Sequence, residues 1–324
     1  MIKNFLGSSK RYLLNLLDSP AVVLLYHRVT KLENDPQALA VSPENFYEQI
    51  ALLKKHYNLL NVEEFTELLK HKRKIPRNAV IISFDDGYAD NYLEALPILK
   101  TLNSQALFYI TTSNLNTDHE LWWDELERII LNNNLLPKHV EVEINERITR
   151  FPTSNHVEKM NTYNFLHPYL KYLLPQQRNK IIGGLRQSIG MKSQGRETHR
   201  LLTINELQRL NESSAAVLGA HTHNHPALSI LPYEIQLQEI ELSKNILEKS
   251  INKKIVHFSY PYGSKKDYND DTLKICQEIG FEMVCSNYYG QVHSWTDILQ
   301  LPRILIRNWD QQFFKNFIAK SFRY

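Results

Sequence analysis

Cysteine is nearly absent from this 324-residue chain: Cys276 and Cys285 are the only two, and neither belongs to a Cys-x-x-Cys pair. That excludes a disulfide framework and a thiolate zinc site, and it fits a reducing compartment. Long apolar runs are also missing and mean hydropathy is −0.40, so no membrane-spanning segment is read. The opening MIKNFLGSSKRYLLNLLDSPAVVLLYH breaks its apolar stretch with charged and polar residues and shows no small-x-small cleavage site. No signal peptide is read there, and the expected compartment is the cytoplasm, with a peripheral position at the membrane left open. An excess of charge is lacking too: 38 basic residues against 35 acidic leave +3, too balanced to imply a nucleic-acid partner. The low glycine count excludes collagen-like repeats, and 43% hydrophobic residues exclude intrinsic disorder.

What remains is enough apolar sequence for one large domain or two small ones. Residues 1–20 carry Phe5, Tyr12, Leu13, Leu16 and Leu17 near helical spacing, interleaved with Lys3, Lys10 and Arg11. This is an amphipathic helix that either packs on the main domain or gives peripheral membrane association. The continuous apolar run 21–26 reads as a strand buried on both faces. SPENFYEQIALLKKHY, from Ser42, has a capping serine, a proline at the first helical position and apolar residues at Phe46, Ile50, Leu53 and Tyr57. Strands at 58–62, 79–84 and 106–110 alternate with helices at 63–70 and 92–102, which implies a mainly parallel sheet. The alternation stops near Asn114 and resumes near Leu202. Strands at 215–220, 256–260, 283–286 and 304–306 then alternate with helices at 204–212, 233–251 and 270–279. This gives a division into a core of 21–115 plus 200–310, an insertion or lid at 116–199, and a C-terminal helix at 311–324. The insertion reads as mainly helical (122–131, 161–173, 176–189), with one strand at 140–144. The number of βα units suggests a barrel-like α/β fold, whose chemistry belongs at the strand C-terminal ends.

Three polar clusters follow apolar strands. Ser83-Phe84-Asp85-Asp86-Gly87 presents two adjacent carboxylates before a glycine that lets the chain turn. Neighbouring side chains diverge, so one aspartate can bind a cation while the other accepts a proton; an Asp-Asp-Gly turn capping the next helix uses the same residues. His221-Thr222-His223-Asn224-His225-Pro226 sets three histidines within five residues. On a single helical turn His221 and His225 meet and can chelate one zinc ion. In an extended segment His221 and His223 face the same way instead. Phe258-Ser259-Tyr260-Pro261-Tyr262-Gly263 forms a rigid aromatic edge suited to a sugar-sized groove, with a backbone N–H available to an oxyanion.

In this order and spacing, SFDDG, HTHNHP and SYPYG resemble the motifs of the polysaccharide deacetylase family, also called the NodB-homology or carbohydrate esterase 4 family. LLYHRV, the helix from Ser42 and LPRI extend the resemblance to the deacetylases of bacterial surface-glycan biosynthesis; the insertion is not covered. The resemblance implies a distorted (β/α)7 barrel of the NodB type. It makes Asp85 the general base, and Asp86, His221 and His225 the ligands of a divalent metal, most readily Zn²⁺. Tyr262 becomes a groove wall whose N–H stabilises the tetrahedral intermediate. The implied substrate is a carbohydrate, with acetyl groups removed from the amino sugars of a surface polysaccharide or its lipid-linked precursor.

The chain departs from the family pattern twice. Ser259 stands where many relatives have an arginine that orients the base, and no Leu-x-His supplies a late histidine. Arg303 of LPRI is the candidate replacement for the arginine, and His27 or His293 for the general acid. Trp122 and Trp123 either stack on a sugar ring, with Trp123 the candidate contact, or form helix core. Two other readings stay open: an amidohydrolase that uses His221 and His223 as an HxH pair, and a noncatalytic glycan-binding relative. Nothing in the sequence indicates the oligomeric state.

Overall fold

The computed structural model describes residues 18–133, 136–144 and 146–322. The amphipathic helix expected over 1–20 thus lies outside the described residues, apart from its last three positions. The first half of the chain runs β1 (Ala21–Tyr26), β2 (Arg28–Val29), β3 (Ala40–Val41), α1 (Pro43–His56), β4 (Asn58–Leu59), α2 (Val62–Lys70), β5 (Ala79–Phe84), α3 (Leu96–Thr101) and β6 (Ala106–Ile110). Next come α4 (Trp122–Ile130), β7 (His139–Ile144), β8 (Arg147–Pro152), α5 (His156–Lys171) and α6 (Pro175–Ser188). The second half runs α7 (Ile204–Glu212), β9 (Ala216–Ala220), α8 (Tyr233–Ile251), β10 (His257–Ser259), α9 (Asp270–Ile279), β11 (Met283–Cys285), β12 (Ile304–Leu305) and α10 (Gln311–Ser321). No helix among the described residues is long and apolar enough to cross a membrane.

Seven parallel strands follow one another around a ring in the order β12-β1-β5-β6-β9-β10-β11, with β4 pairing beside β5. The ring closes irregularly. Beyond β11, Val284 N donates to Ile298 O at 2.9 Å and Ser286 N to Leu301 O at 2.9 Å, in the segment that leads back to β12. This is the distorted (β/α)7 barrel expected from the sequence. Period-2 alternation sorts its side chains. Val23, Ile81, Leu107, Tyr109 and Val217 belong to one buried cluster, while their neighbours Val22, Leu24, Ile82, Phe84 and Phe108 pack outward under the helices. Helix α1 shows how the outer layer is held. Ser42 Oγ accepts from Asn45 N at 3.2 Å, Pro43 opens the first turn, and Phe46 reaches the sheet beside Tyr26 and Phe84.

Two elements differ from expectation. The single helix expected over 92–102 begins as a wider π-type turn at Asn91–Ala95 before becoming α3. Pro97 has no N–H to give, and Leu96 N reaches back five residues to Asn91 O. The lone strand expected at 140–144 is one arm of an antiparallel hairpin, β7–β8. The second arm, RITRFP, is largely exposed with only Phe151 buried, so it has no apolar alternation to announce it.

Candidate active site

The inward-facing rows turn from apolar to polar as they reach the strand C-terminal ends. On β5 the row is Ile81, Ser83, Asp85; on β9 it is Val217, Gly219, His221; on β10 it ends at Ser259; and through β12 it is Leu301, Arg303, Leu305. Alternation thus brings Asp85, His221, Ser259 and Arg303, from four strands, to one end of the barrel. The backbone there is bent sharply. Asp86, Thr222, His225 and Tyr262 all have positive φ (77°, 61°, 51° and 58°), a conformation that costs of order 1–3 kcal/mol per non-glycine residue and concentrates at functional sites. Gly87 follows Asp86 with φ +84°, and a Cβ there would lie 2.9 Å from Ile110 Cγ2. Gly263 follows Tyr262 with φ +65°, and a Cβ there would lie 2.5 Å from Asn287 N. Glycine is therefore required at both turns.

His221 and His225 lie neither on a helical turn nor in an extended segment, the two alternatives read from their spacing. The left-handed residues Thr222 and His225 fold the loop back on itself, and Thr222 holds it: its Oγ1 donates to His221 O at 2.6 Å and accepts from His225 N at 3.2 Å. The two imidazoles meet Nε2 to Nε2 at 3.2 Å. His223 turns away and bonds Thr112 Oγ1 through Nδ1 at 2.9 Å, so the HxH pair is not formed.

Asp86 Oδ1 completes a triangle, 3.6 Å from His221 Nε2 and 3.4 Å from His225 Nε2. A tetrahedral ion with bonds of about 2.0–2.1 Å separates its ligands by about 3.3–3.4 Å, so the three atoms already stand at the edges such an ion requires. Tautomers agree for His221. Its Nδ1 lies 2.7 Å from Ser259 O, which only accepts, so the proton is on Nδ1 and the Nε2 lone pair faces the triangle. Burial holds His221 at about 4 and His225 at about 3, and both are neutral near pH 7. The Asp86 carboxyl is pushed up, chiefly by burial.

Asp85 lies beside the triangle, its Oδ2 3.8 Å from His221 Nε2. Arg303 clamps it with both nitrogens, Nη1 to Oδ1 at 2.7 Å and Nη2 to Oδ2 at 2.6 Å. Nη2 also donates to Ser259 Oγ at 2.7 Å, and Nε to Ser286 O at 2.7 Å. The serine therefore stands where the family resemblance expects an arginine, and a guanidinium from just before β12, two strands from β5, meets the carboxylate instead. Burial pushes the Asp85 carboxyl up, but the Arg303 charge, then His221, outweigh it and hold it at about 2.

The remaining candidates separate by position. His27 follows β1, lines the same cavity, and has an Nδ1 without a hydrogen-bond partner among the described residues. Asn91 Nδ2 fixes its carbonyl at 2.8 Å. Burial lowers its pKa, against the pull of Asp86 and Asp85. His293 lies at the other end of the barrel. Its neighbour Val292 bridges to Ala21, the first residue of β1, about 17 Å along the strand from the site, and it is corrected here as an acid candidate. Tyr262 sets its ring on His225 at 4.6 Å, and its backbone N–H has no partner among the described residues. Trp123 packs on His225 at 4.7 Å, donates Nε1 to Tyr88 Oη at 2.8 Å, and lines the cavity with 4% of the residue exposed. Trp122 donates Nε1 to Tyr262 Oη at 3.2 Å. Both indoles buttress the site rather than present an open face.

The sequence reading overlooked several residues. Leu305 and Arg307 line the cavity of about 200 Å³ together with Gln37, Leu39 and Asn287. Arg303, Leu305 and Arg307 share a period of two while Ile304 and Ile306 are buried on the other side, a signal legible in RILIR. From the segment between β6 and β9, Arg178 donates to Asn224 O at 2.8 Å and to His225 O at 3.4 Å. Lys171 stands 4.4 Å above the Tyr262 ring and pairs with Asp267 at 2.6 Å. No spacing rule announces these two.

The sequence profile described as "Polysaccharide deacetylase" matches residues 72–180 and 147–284, together more than half of the chain. The chain belongs to the polysaccharide deacetylase family. Within that family, a Staphylococcus epidermidis relative named poly-beta-1,6-N-acetyl-D-glucosamine N-deacetylase is 24% identical over 309 residues, 89% of this chain and 79% of its own length. A Bacillus subtilis relative, YxkH, is 27% identical over 108 residues, 33% of this chain and 37% of its own. A Staphylococcus aureus poly-beta-1,6-N-acetyl-D-glucosamine N-deacetylase is 33% identical over 115 residues, 32% of this chain and 39% of its own. The match therefore spans little more than a third of the last two. Among solved structures, the Streptococcus pyogenes deacetylase PplD in complex with acetate superposes with a TM-score of 0.61 at 19% identity, covering 93% of this chain and 99% of its own. IcaB from Ammonifex degensii superposes with a TM-score of 0.61 at 17% identity, covering 94% and 97%. Both share the fold of this polysaccharide deacetylase.

Proposed function

We propose that the protein is a metal-dependent hydrolase that removes N-acetyl groups from the amino sugars of a surface polysaccharide or its lipid-linked precursor. The observation that carries this reading is the Asp86–His221–His225 triangle, whose edges of 3.2–3.6 Å suit one small cation, with the ionised Asp85 beside it. Two neutral imidazoles and one carboxylate favour Zn²⁺ and leave coordination positions open. When bound, the ion supplies Lewis-acid chemistry at the acetyl carbonyl and acidifies the attacking water. Asp85, fixed by the bidentate Arg303, takes the proton from that water. The Tyr262 N–H donates to the developing oxyanion. His27, facing the same cavity, passes on to the departing amine the proton that Asp85 took from the water, and both groups return to their starting state. The relatives named as poly-N-acetylglucosamine deacetylases support the amino-sugar substrate. A noncatalytic relative has no use for a carboxylate held ionised beside a corner of three coordinating atoms, so catalysis is the reading that the geometry favours.

Purified protein loaded with Zn²⁺ or Co²⁺ is expected to release acetate from N-acetylglucosamine oligomers and to bind one ion per chain. Asp85→Asn should lower turnover by about 10²–10⁴-fold while still binding metal. His225→Ala should lose the ion and His223→Ala should keep it. His27→Ala with full turnover removes His27 as the acid, and absence of both metal and acetate release overturns the whole reading.

A further inference from the structure

Arg307 is a charged side chain on the wall of the catalytic cavity that none of the steps above uses. It is half-buried, and its Nη1 donates to Gln37 O at 2.5 Å and to Ala38 O. These are neutral acceptors. The acid that influences it, Asp35, acts through space without bonding it; its two oxygens accept from Leu39 N at 2.9 Å and Ala40 N at 2.8 Å. Several other buried or half-buried guanidinium groups are paired: Arg28 has Asp90, Arg196 has Glu120 and Glu127, Arg200 has Glu206, and Arg303 has Asp85, while Arg178, which has no carboxylate, donates to the carbonyls of Asn224 and His225 and does not line this cavity. A guanidinium withdrawn from water without a carboxylate is costly unless a ligand completes it.

The rest of the cavity does not balance that charge. Asp85 is neutralised by Arg303, and Asp86, His221 and His225 all belong to the metal corner. Position adds to the argument. Arg303, Leu305 and Arg307 follow one another on one side of the closing strand, with Ile304 and Ile306 buried on the other. Two residues rise about 6.6 Å, so Arg307 lies about 13 Å along the chain from the arginine that holds the base. That places it past the acetamide, against whatever flanks the reacting sugar. A guanidinium fork matches a carboxylate or phosphate with two parallel hydrogen bonds.

We propose that Arg307 is a specificity residue that recognises an anionic group, carboxylate or phosphate, flanking the N-acetylated sugar. This rests on the deacetylase reading and names the substrate class for it: an acidic glycan or a phosphorylated precursor rather than a neutral homopolymer.

The test measures acetate release by the metal-loaded protein on three substrates. These are a neutral N-acetylglucosamine oligomer, an oligomer alternating N-acetylglucosamine with glucuronate, and N-acetylglucosamine 1-phosphate. The expected result is a kcat/KM about tenfold or more in favour of an acidic substrate at low salt, carried by KM and shrinking as salt is added. Whichever acidic arm shows the advantage identifies the source of the charge. In Arg307→Gln, which keeps a donor for the Gln37 and Ala38 carbonyls, and in Arg307→Ala, the acidic-to-neutral ratio should fall about tenfold; Arg307→Lys should retain part of it. Acetate from the neutral oligomer with no acidic advantage in the wild type, or an unchanged ratio in a folded Arg307→Gln, overturns the proposal and leaves the deacetylase reading intact. Acetate from none of the three substrates overturns both.

Discussion

At Asp85 and Arg303, two buried charges are each acceptable only because of the other. The Arg303 side chain is fully enclosed, and its five donated contacts end on Asp85, Ser83, Ser259 and Ser286. Breaking such a pair from one side typically costs about 3–5 kcal/mol, because the survivor stays buried and unpaired. Arg303→Met is therefore expected to lower stability by that order and to let burial raise the Asp85 carboxyl, moving the acid limb of kcat/KM to higher pH. Urea melts and a pH–rate profile check this. The double variant Arg303→Met/Asp85→Asn should regain much of the lost stability, and a double variant no more stable than the single one would show that packing, not charge, is what Arg303 provides. Asp85 and Asp86 were legible at this scale because their motif is contiguous. Arg303 was legible only as a candidate, since nothing local to LPRI says which carboxylate it meets two strands away.

At the scale of elements, the segment between β6 and β9 does more than cover the site. Helix α4 lays Trp123 on His225 and Trp122 on Tyr262, and α6 sends Arg178 to the carbonyls of Asn224 and His225. Arg178 is only 2% exposed, and its pKa is pulled down by burial with no carboxylate bonded to it. Such a placement is tolerable if the guanidinium is what holds His225 in its left-handed conformation. Arg178→Ala is expected to weaken metal affinity by about tenfold or more, read by competition with a chromogenic chelator on folded protein, with Arg178→Lys in between. An affinity equal to that of the wild type would assign the segment a covering role only. The helices here were readable from their apolar spacing. Their contact with the loop that carries His221 and His225 was not, because Arg178 lies 46 residues from the nearer carbonyl it bonds, Asn224.

For the whole molecule, acid is the weak point. His257, enclosed at the end of the barrel away from the site, is lowered to about 4 by burial, and His199 is lowered to about 2 by burial and then by Arg28. The unfolded chain takes up these protons near pH 6.5 and the folded chain resists them until the lower values. Between those limits the unfolded state binds more protons, so stability falls as pH drops, by about 1.4 kcal/mol per pH unit per histidine. Asp85 acts in a different window, adding stability above about 4 and losing it only toward 2. The urea midpoint is expected to fall between pH 6.5 and pH 4.5, and His257→Gln should flatten that fall. A midpoint independent of pH across this range would contradict the buried, neutral state of both histidines.

The sequence by itself determined the alternation of strands and helices, the barrel it implies and the three motifs. Each of these is written in short-range patterns: apolar runs, capping residues, a glycine after two aspartates, histidines four apart. Only the tertiary structure decided that His225 rather than His223 joins His221, because the choice depends on two left-handed residues that spacing does not encode. It alone also brought Arg303 to Asp85, removed His293 to the far end of the barrel and set Arg307 on the cavity wall. Those outcomes depend on how the ring closes, and closure is a property of strands far apart in the chain.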